Sequence, residues 1–284
     1  MRTLWFCLLI GLCPAVAHAV TVRLDMRPGI AGNAEYLPGK PDQPAVLLLH
    51  GFLQTRDFPT VATLSRGLHD AGYSVLAPTL SLGIPNRSQS LACEAIHHHR
   101  FEDDVAEIAR WVGWLKARGH HAILLAGHSF GSLQLLAYLN TQPDPAVRGY
   151  VGTSLVAAQV GNTDRVALIA HLEKQKLYKQ PALVSHSLSF CKKYLAPPGA
   201  LLSYVRWDQP RTLQALKQSP VEMRLIMGDA DTIVGRGWLK ALRHVGATLV
   251  VVKGANHFMD GEHEFDLLDQ ALIALRHFDS KPSP

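Results

Sequence analysis

Five residues constrain this chain more than any others: Gly127-His128-Ser129-Phe130-Gly131. They follow the apolar run Ile123-Leu124-Leu125-Ala126 and precede Leu133, Leu136, Ala137 and Leu139 at helical spacing. The stretch reads as a buried strand, an abrupt turn and a helix. A turn that tight excludes side chains beside its apex, because a Cβ there would meet neighbouring backbone. The apex, Ser129, is then held in a strained conformation with its hydroxyl raised at the edge of a sheet.

The rest of the chain repeats this alternation of apolar run and amphipathic helix. Val20 to Leu24 reads as an edge strand, followed by turn-rich sequence as far as Pro41. Ala45 to Leu49 is a continuous apolar run, as in a strand covered on both faces. A helix is predicted over 58–71, a strand over 73–77, a loop over 78–100 and a strong helix over 102–118. In that last helix Val105, Ile108, Val112 and Leu115 form the apolar stripe. Glu102, Asp103 and Asp104 suit its positive N-terminal end, which explains the acidic cluster without a metal. Trp111 and Trp114 on the same helix are packing residues. Strands follow over 147–152, 223–227 and 248–252, with helices near 236–244 and from Phe265 to Leu275. Residues 153–220 break the rhythm with Pro181, Pro197, Pro198 and Pro210, and read as an insertion over the sheet edge. The fold class is therefore α/β: a mostly parallel, doubly wound sheet with a helical, lid-like insertion.

The N-terminus stands apart. Arg2, the apolar run Leu4–Leu12 and Ala17-His18-Ala19 have the order of a secretory signal peptide. Cleavage after Ala19 leaves residues 20–284 as one domain, expected in the periplasm or secreted. Of four cysteines, Cys93 and Cys191 remain after cleavage, and an even pair in an exported chain suggests one disulfide. The net charge of +5 is uneven. Residues 172–217 hold eight Lys or Arg against Glu173 and Asp208, while the rest of the mature chain is slightly acidic. That segment is either a solvated basic face or a peripheral contact with an anionic surface. The chain carries no phosphate-binding or dinucleotide glycine pattern, and no nucleic-acid partner or cofactor is expected. A monomer is expected.

Chemistry-bearing residues follow the apolar runs. Ser129 follows 123–126, Asp229 and Asp231 follow 225–227, His257 follows 249–252 by a short loop, and His50-Gly51-Phe52 follows 45–49. In doubly wound sheets, functional groups gather outside these carboxyl ends. The serine between two glycines, the His50-Gly51 pair, the stretch Gly228 to Val234 and Gly254-Ala255-Asn256-His257 together resemble the α/β-hydrolase superfamily. The resemblance covers essentially the whole mature chain, in the same order Ser, Asp, His. It implies a nucleophile Ser129, a base His257 and an orienting carboxylate, with backbone N–H groups of Phe52 and Phe130 as the oxyanion hole. The superfamily spacing, with Gly228 ahead and Val234 behind, selects Asp231 over Asp229, which becomes a turn residue.

The expected activity is hydrolysis of carboxylic esters or related acyl compounds through an acyl-enzyme. Acyltransferase or thioesterase chemistry with the same triad is the alternative, and a non-catalytic envelope binding protein a further one. His50 and His128 are expected to be structural. His97-His98-His99 invites a metal reading, but adjacent histidines alternate in direction and no familiar ligand spacing completes them. They are expected in a partly exposed loop at the cleft rim, charging as pH falls through about 6.5. Residues 153–220 are expected to shape the cleft, and Phe190, Tyr194, Tyr204 and Trp207 among apolar residues there suit a lipidic or aromatic acyl group.

Overall fold

The computed structural model describes residues 19–179 and 182–280. The expected leader, apart from Ala19, lies outside the described residues, as do Cys7, Cys13, Pro181 and the tail beyond Ser280.

In chain order the elements are β1 (Val20–Arg27), β2 (Ile30–Leu37), β3 (Ala45–Leu49), α1 (Pro59–Asp70), β4 (Ser74–Thr79) and α2 (Phe101–Ala117). There follow β5 (Ile123–His128), α3 (Phe130–Thr141), β6 (Val147–Thr153), α4 (Arg165–Gln175), β7 (Val184–Leu188) and β8 (Cys191–Ala196). The chain ends with α5 (Pro198–Val205), α6 (Gln209–Lys217), β9 (Glu222–Gly228), α7 (Gly235–Leu242), β10 (Thr248–Val252) and α8 (Glu264–Asp279). Eight strands form one sheet in the order β1-β2-β4-β3-β5-β6-β9-β10. Only the β1–β2 and β2–β4 pairs are antiparallel. The other pairs are parallel.

Why the central runs are continuously apolar is visible in the packing. Along β3, Leu47 and Leu49 face α2 and α3, while Val46 and Leu48 face α1 and α8. Along β5, Leu125 faces the first layer and Leu124 and Ala126 the second. Both faces are dry, so both parities of each strand must be apolar. Each buried Leu or Val contributes roughly 1.5–3 kcal/mol relative to exposure. The helix α3 goes further: every residue from Phe130 to Leu139 is buried, because sheet, α2 and α6 enclose it.

Three expectations need correction. The turn-rich stretch after residue 24 contains the strand β2, and β1 runs on to Arg27. Pro28-Gly29 closes that hairpin, with Gly29 at φ +76°. Asn33 in β2 is polar yet buried, because its carboxamide donates to the Arg87 carbonyl at 2.8 Å. That polar use hid the strand from a hydrophobic reading. The segment between β6 and β9 is not wholly helical either, since β7 and β8 pair as an antiparallel hairpin around Ser189-Phe190. Asp104, read as a charge at the positive end of α2, is fully buried. It accepts from Gln134 Nε2 at 2.8 Å and from the Tyr204 hydroxyl. Burial pushes its carboxyl well above the usual carboxylate range.

The segment between β6 and β9 is fastened to the core at several points. Cys93 and Cys191 form a disulfide across 98 residues of sequence. The His97 amide donates to Leu195 O at 2.8 Å, and the Phe101 amide to Ser203 Oγ at 2.9 Å. The Tyr204–Asp104 bond adds a fourth tie, within α2. Closing a loop of this length contributes roughly 2–5 kcal/mol through the unfolded state. The double variant Cys93→Ser/Cys191→Ser should therefore melt about 5–10 °C below the oxidised protein. A thermal melt at neutral pH checks this, and equal melting temperatures would mean the crosslink is not formed.

Candidate active site

Ser129 caps α3 at φ +55°, ψ −120°, a conformation costly for a residue with a Cβ. Two close approaches enforce it. A Cβ on Gly131 would lie 2.3 Å from His50 O, and one on Gly127 would lie 2.8 Å from the Ser132 amide. The Ser129 amide donates to Thr153 O at 2.8 Å, tying the turn to the end of β6. The serine side chain is thus fixed at the carboxyl edge of the sheet.

His257 arrives from the loop after β10. Its carbonyl accepts from Ser154 Oγ at 2.6 Å, which anchors that loop to the end of β6. Its Nε2 lies 2.8 Å from Ser129 Oγ and its Nδ1 2.7 Å from Asp231 Oδ2. An ionised carboxylate only accepts, so the network places the proton on Nδ1 and leaves Nε2 to accept from the serine. The second Asp231 oxygen accepts from the Ile233 amide at 2.8 Å and the Val234 amide at 3.2 Å. Asp229 is elsewhere: its Oδ1 accepts from the Gly254 amide at 2.6 Å. The structure therefore brings Ser129, His257 and Asp231 together and leaves Asp229 as a turn residue.

The other expected pair, Phe52 and Phe130, lies beside the serine. Their rings are 4.8 Å apart, and Gly131 packs directly on the backbone of Leu49 and His50. The orientation of the Phe52 amide follows from a chain of hydrogen bonds. The Leu80 amide donates to His50 Nε2 at 3.1 Å, so the His50 proton is on Nδ1, which donates to Gly51 O at 2.8 Å. Gly51 O also accepts from the Gln54 amide at 3.2 Å. A trans peptide points its C=O and N–H in opposite directions. Holding Gly51 O on one side therefore fixes the Phe52 N–H on the other. Burial, then the positive charge of Arg87, lowers the His50 pKa to about 3, so the imidazole stays neutral.

Arg87 was not singled out by the sequence, since a lone Arg in a polar loop carries no pattern. It is buried, and burial lowers its pKa only to about 10. Its guanidinium donates at 2.7 Å to each of Leu80 O, Gln89 O and Gln54 O. It thus clamps the loop that follows β3.

His128 is buried beside His257, with ring centroids 5.5 Å apart. The Thr153 hydroxyl gives its proton to Gly127 O at 3.0 Å, so His128 Nδ1 must donate to Thr153 Oγ1. Burial, then the neighbouring His257, lowers the His128 pKa to about 3. It therefore adds no competing charge next to His257.

The expectation for His97-His98-His99 is corrected. Only His98 is exposed; His97 and His99 are buried. His97 stacks on Tyr194 at 4.2 Å between centroids, and His99 meets Tyr204 edge-on at 5.5 Å. Tyr194, Tyr204 and Trp207 are buried behind Phe52, Phe101 and Phe130, so of the four aromatics expected to face substrate only Phe190 is exposed. It packs edge-on against Phe52 at 5.6 Å. Phe58 and Phe258, 5.6 Å apart and half-buried, lie on the His128 and His257 side.

A family model described as the alpha/beta hydrolase family matches residues 46–270. The chain belongs to the alpha/beta hydrolase family. This alpha/beta hydrolase also shares its fold with solved structures of low sequence identity. The alpha/beta hydrolase GrgF from Penicillium sp. sh18 is 15% identical with a TM-score of 0.71, over 93% of this chain and 100% of that one. Est1E from Butyrivibrio proteoclasticus is 16% identical with a TM-score of 0.62, over 90% and 99%. A thioesterase domain from the curacin biosynthetic pathway is 17% identical with a TM-score of 0.62, over the same shares. No curated protein matches the chain in sequence.

Burial lowers the His99 pKa to about 3, whereas an unfolded histidine titrates near 6.5. The folded state thus binds fewer protons below pH 6.5. The His99 contribution to stability is whole above pH 6.5 and lost as pH falls towards 3. Phe at this position has no proton to gain. Between pH 7.5 and 5, the wild type should lose about 2 kcal/mol more than His99→Phe, measured by urea denaturation. Equal losses would mean His99 is not buried neutral.

Proposed function

We propose that the chain is an exported serine hydrolase that cleaves carboxylic esters or related acyl compounds. The observation that carries this reading is the relay Ser129 Oγ, His257 Nε2, His257 Nδ1, Asp231 Oδ2, with successive contacts of 2.8 and 2.7 Å. Family membership supports hydrolysis, and the disulfide together with the leader-like N-terminus supports export to an oxidising compartment.

In this mechanism Ser129 Oγ attacks the acyl carbonyl as its proton passes to His257 Nε2. Asp231 holds the imidazole in the required tautomer and offsets its positive charge. The carbonyl oxygen becomes an oxyanion and accepts from the Phe52 and Phe130 amides, each donor contributing roughly 3–4 kcal/mol to the transition state. Collapse expels the alcohol, which takes the proton from His257, and leaves an acyl-serine. Water, deprotonated by His257, then releases the acid and restores the serine. The half-buried and exposed aromatics Phe58, Phe258 and Phe190 favour an apolar substrate.

A fluorophosphonate probe should label Ser129 in the folded protein and leave Ser129→Ala unlabelled. Ser129→Ala and His257→Ala should each lower kcat on p-nitrophenyl esters about 10³-fold or more without changing the melting temperature greatly. Substantial turnover in either variant rejects this triad. Arg87→Met should lower kcat about tenfold or more with KM changed less than about threefold, because the clamp orients an oxyanion donor and touches no substrate. An equal loss in binding and turnover would place Arg87 in a merely structural role.

A further inference from the structure

Helix α4 buries only Leu168 and Leu172, with Ile169 partly covered. Its outward side also carries apolar groups, beside polar ones. Val166, Ala167, Ala170, His171 and Lys174 are all exposed, and Val166, Ala170 and Lys174 recur every fourth residue on one face. Turn hydrogen bonds from the Leu177 amide to Lys174 O and from the Tyr178 amide to Gln175 O wind the chain on, more tightly, past the helix end. Leu177 and Tyr178 continue that face. Val166 is 79% exposed, Leu177 78% and Tyr178 53%. A helix with apolar groups on both sides suits an interior or a partner, and this one has water on its outer side.

The charges of the same stretch are one-sided. Lys174, Lys176 and Lys179 are exposed. The acid among them, Glu173, is taken by Lys176 and Arg206. Asp164 is occupied at the helix start, where it caps the amides of Val166 and Ala167. Lys192 and Lys193 on β8 are exposed too, and they belong to the same net-positive segment of an otherwise slightly acidic mature chain.

We infer that the outer face of α4 and the turn after it, Val166 to Lys179, docks the protein on an anionic lipid bilayer. Apolar side chains flanked by lysines are the composition of interfacial helices. The aliphatic groups enter the acyl boundary while lysine stems lie along it and keep their ammonium groups among lipid phosphates. Tyr178 supplies the aromatic ring with a polar tip that favours the headgroup level. A protein partner would be expected to meet clustered arginine and aromatic anchors in a recess, whereas this face is a helix of Val, Ala, His and Lys followed by Leu177 and the single aromatic Tyr178. Among the described residues no helix is long and apolar enough to cross a membrane.

The test is co-sedimentation with vesicles of phosphatidylcholine containing 30 mol% phosphatidylglycerol, against phosphatidylcholine alone. Wild type and variants are prepared in identical form, so any contribution of residues 1–19 is common to all. Wild type should bind the anionic vesicles at least about tenfold more tightly than the neutral ones, and the difference should shrink in 0.5 M salt. Val166→Glu/Leu177→Glu should weaken binding at least about tenfold, and Lys174→Glu/Lys179→Glu at least about fivefold. These side chains are exposed, so melting temperatures should stay within a few degrees of wild type. Ser129→Ala should bind as wild type, which separates failure of the hydrolase reading from failure of this one. Vesicle binding unchanged in both double variants overturns the proposal. So does absence of vesicle binding, including the case where sedimentation velocity shows a dimer that Val166→Glu/Leu177→Glu dissociates.

Discussion

The structure depends on one close approach. At Gly131 the start of α3 passes so near the end of β3 that a single added carbon would lie 2.3 Å from the His50 carbonyl oxygen. That contact sets how sharply β5 turns into α3, and hence the positive φ of Ser129. It also brings the loop after β3 beside the N-terminus of α3, where the Phe52 and Phe130 rings lie 4.8 Å apart. The strain at Ser129 is offset by the enclosure of α3, buried on every side from Phe130 to Leu139. An apolar helix in a closed pocket cannot swing to relieve its first residue.

The sheet and the residues at its edge were largely legible before any coordinates. Parallel strands buried on both faces have to be continuously apolar, so β3, β5 and β9 announce themselves. Residues that follow such runs have little choice of location. Ser129, Asp231 and His257 stand out for that reason, and the resemblance to the superfamily, through its spacing, favours Asp231 over Asp229. What failed to show were elements stabilised by polar groups. The strand β2 contains Gly32 and a buried Asn33, and reads as a turn. The hairpin β7–β8 is half-exposed and carries His186 and Lys192 among its apolar residues. Buried Arg87 and Asp104 gave no signal, because hydrogen bonds to distant backbone or to another helix leave no periodicity in sequence.

The histidines show the same limit from the other side. Alternation along extended chain correctly separates His98 from His97 and His99, but it does not say which side is dry. Tyr194 and Tyr204, about a hundred residues later, decide that by covering His97 and His99. The ring of His50 has a similar dependence. Its tautomer is set by the Leu80 amide, thirty residues away. In both cases a titratable group near the candidate site is kept neutral by tertiary contacts, leaving His257 as the imidazole whose hydrogen bonds join a hydroxyl to a carboxylate.

The clamp at Arg87 has a consequence for how this protein can change. Its strongest bonds run to main-chain oxygens of residues 54, 80 and 89, and every residue type supplies such an oxygen. The loop after β3 is therefore held by its backbone at Gln54, while Phe52, Leu53 and Thr55 bury their side chains beneath it. Substitutions at half-buried Gln54 or exposed Gln89 leave these main-chain oxygens in place and so keep the clamp on the peptide that carries the Phe52 amide. The polar side chains of this loop can therefore change in single steps while its geometry is inherited from one buried cation.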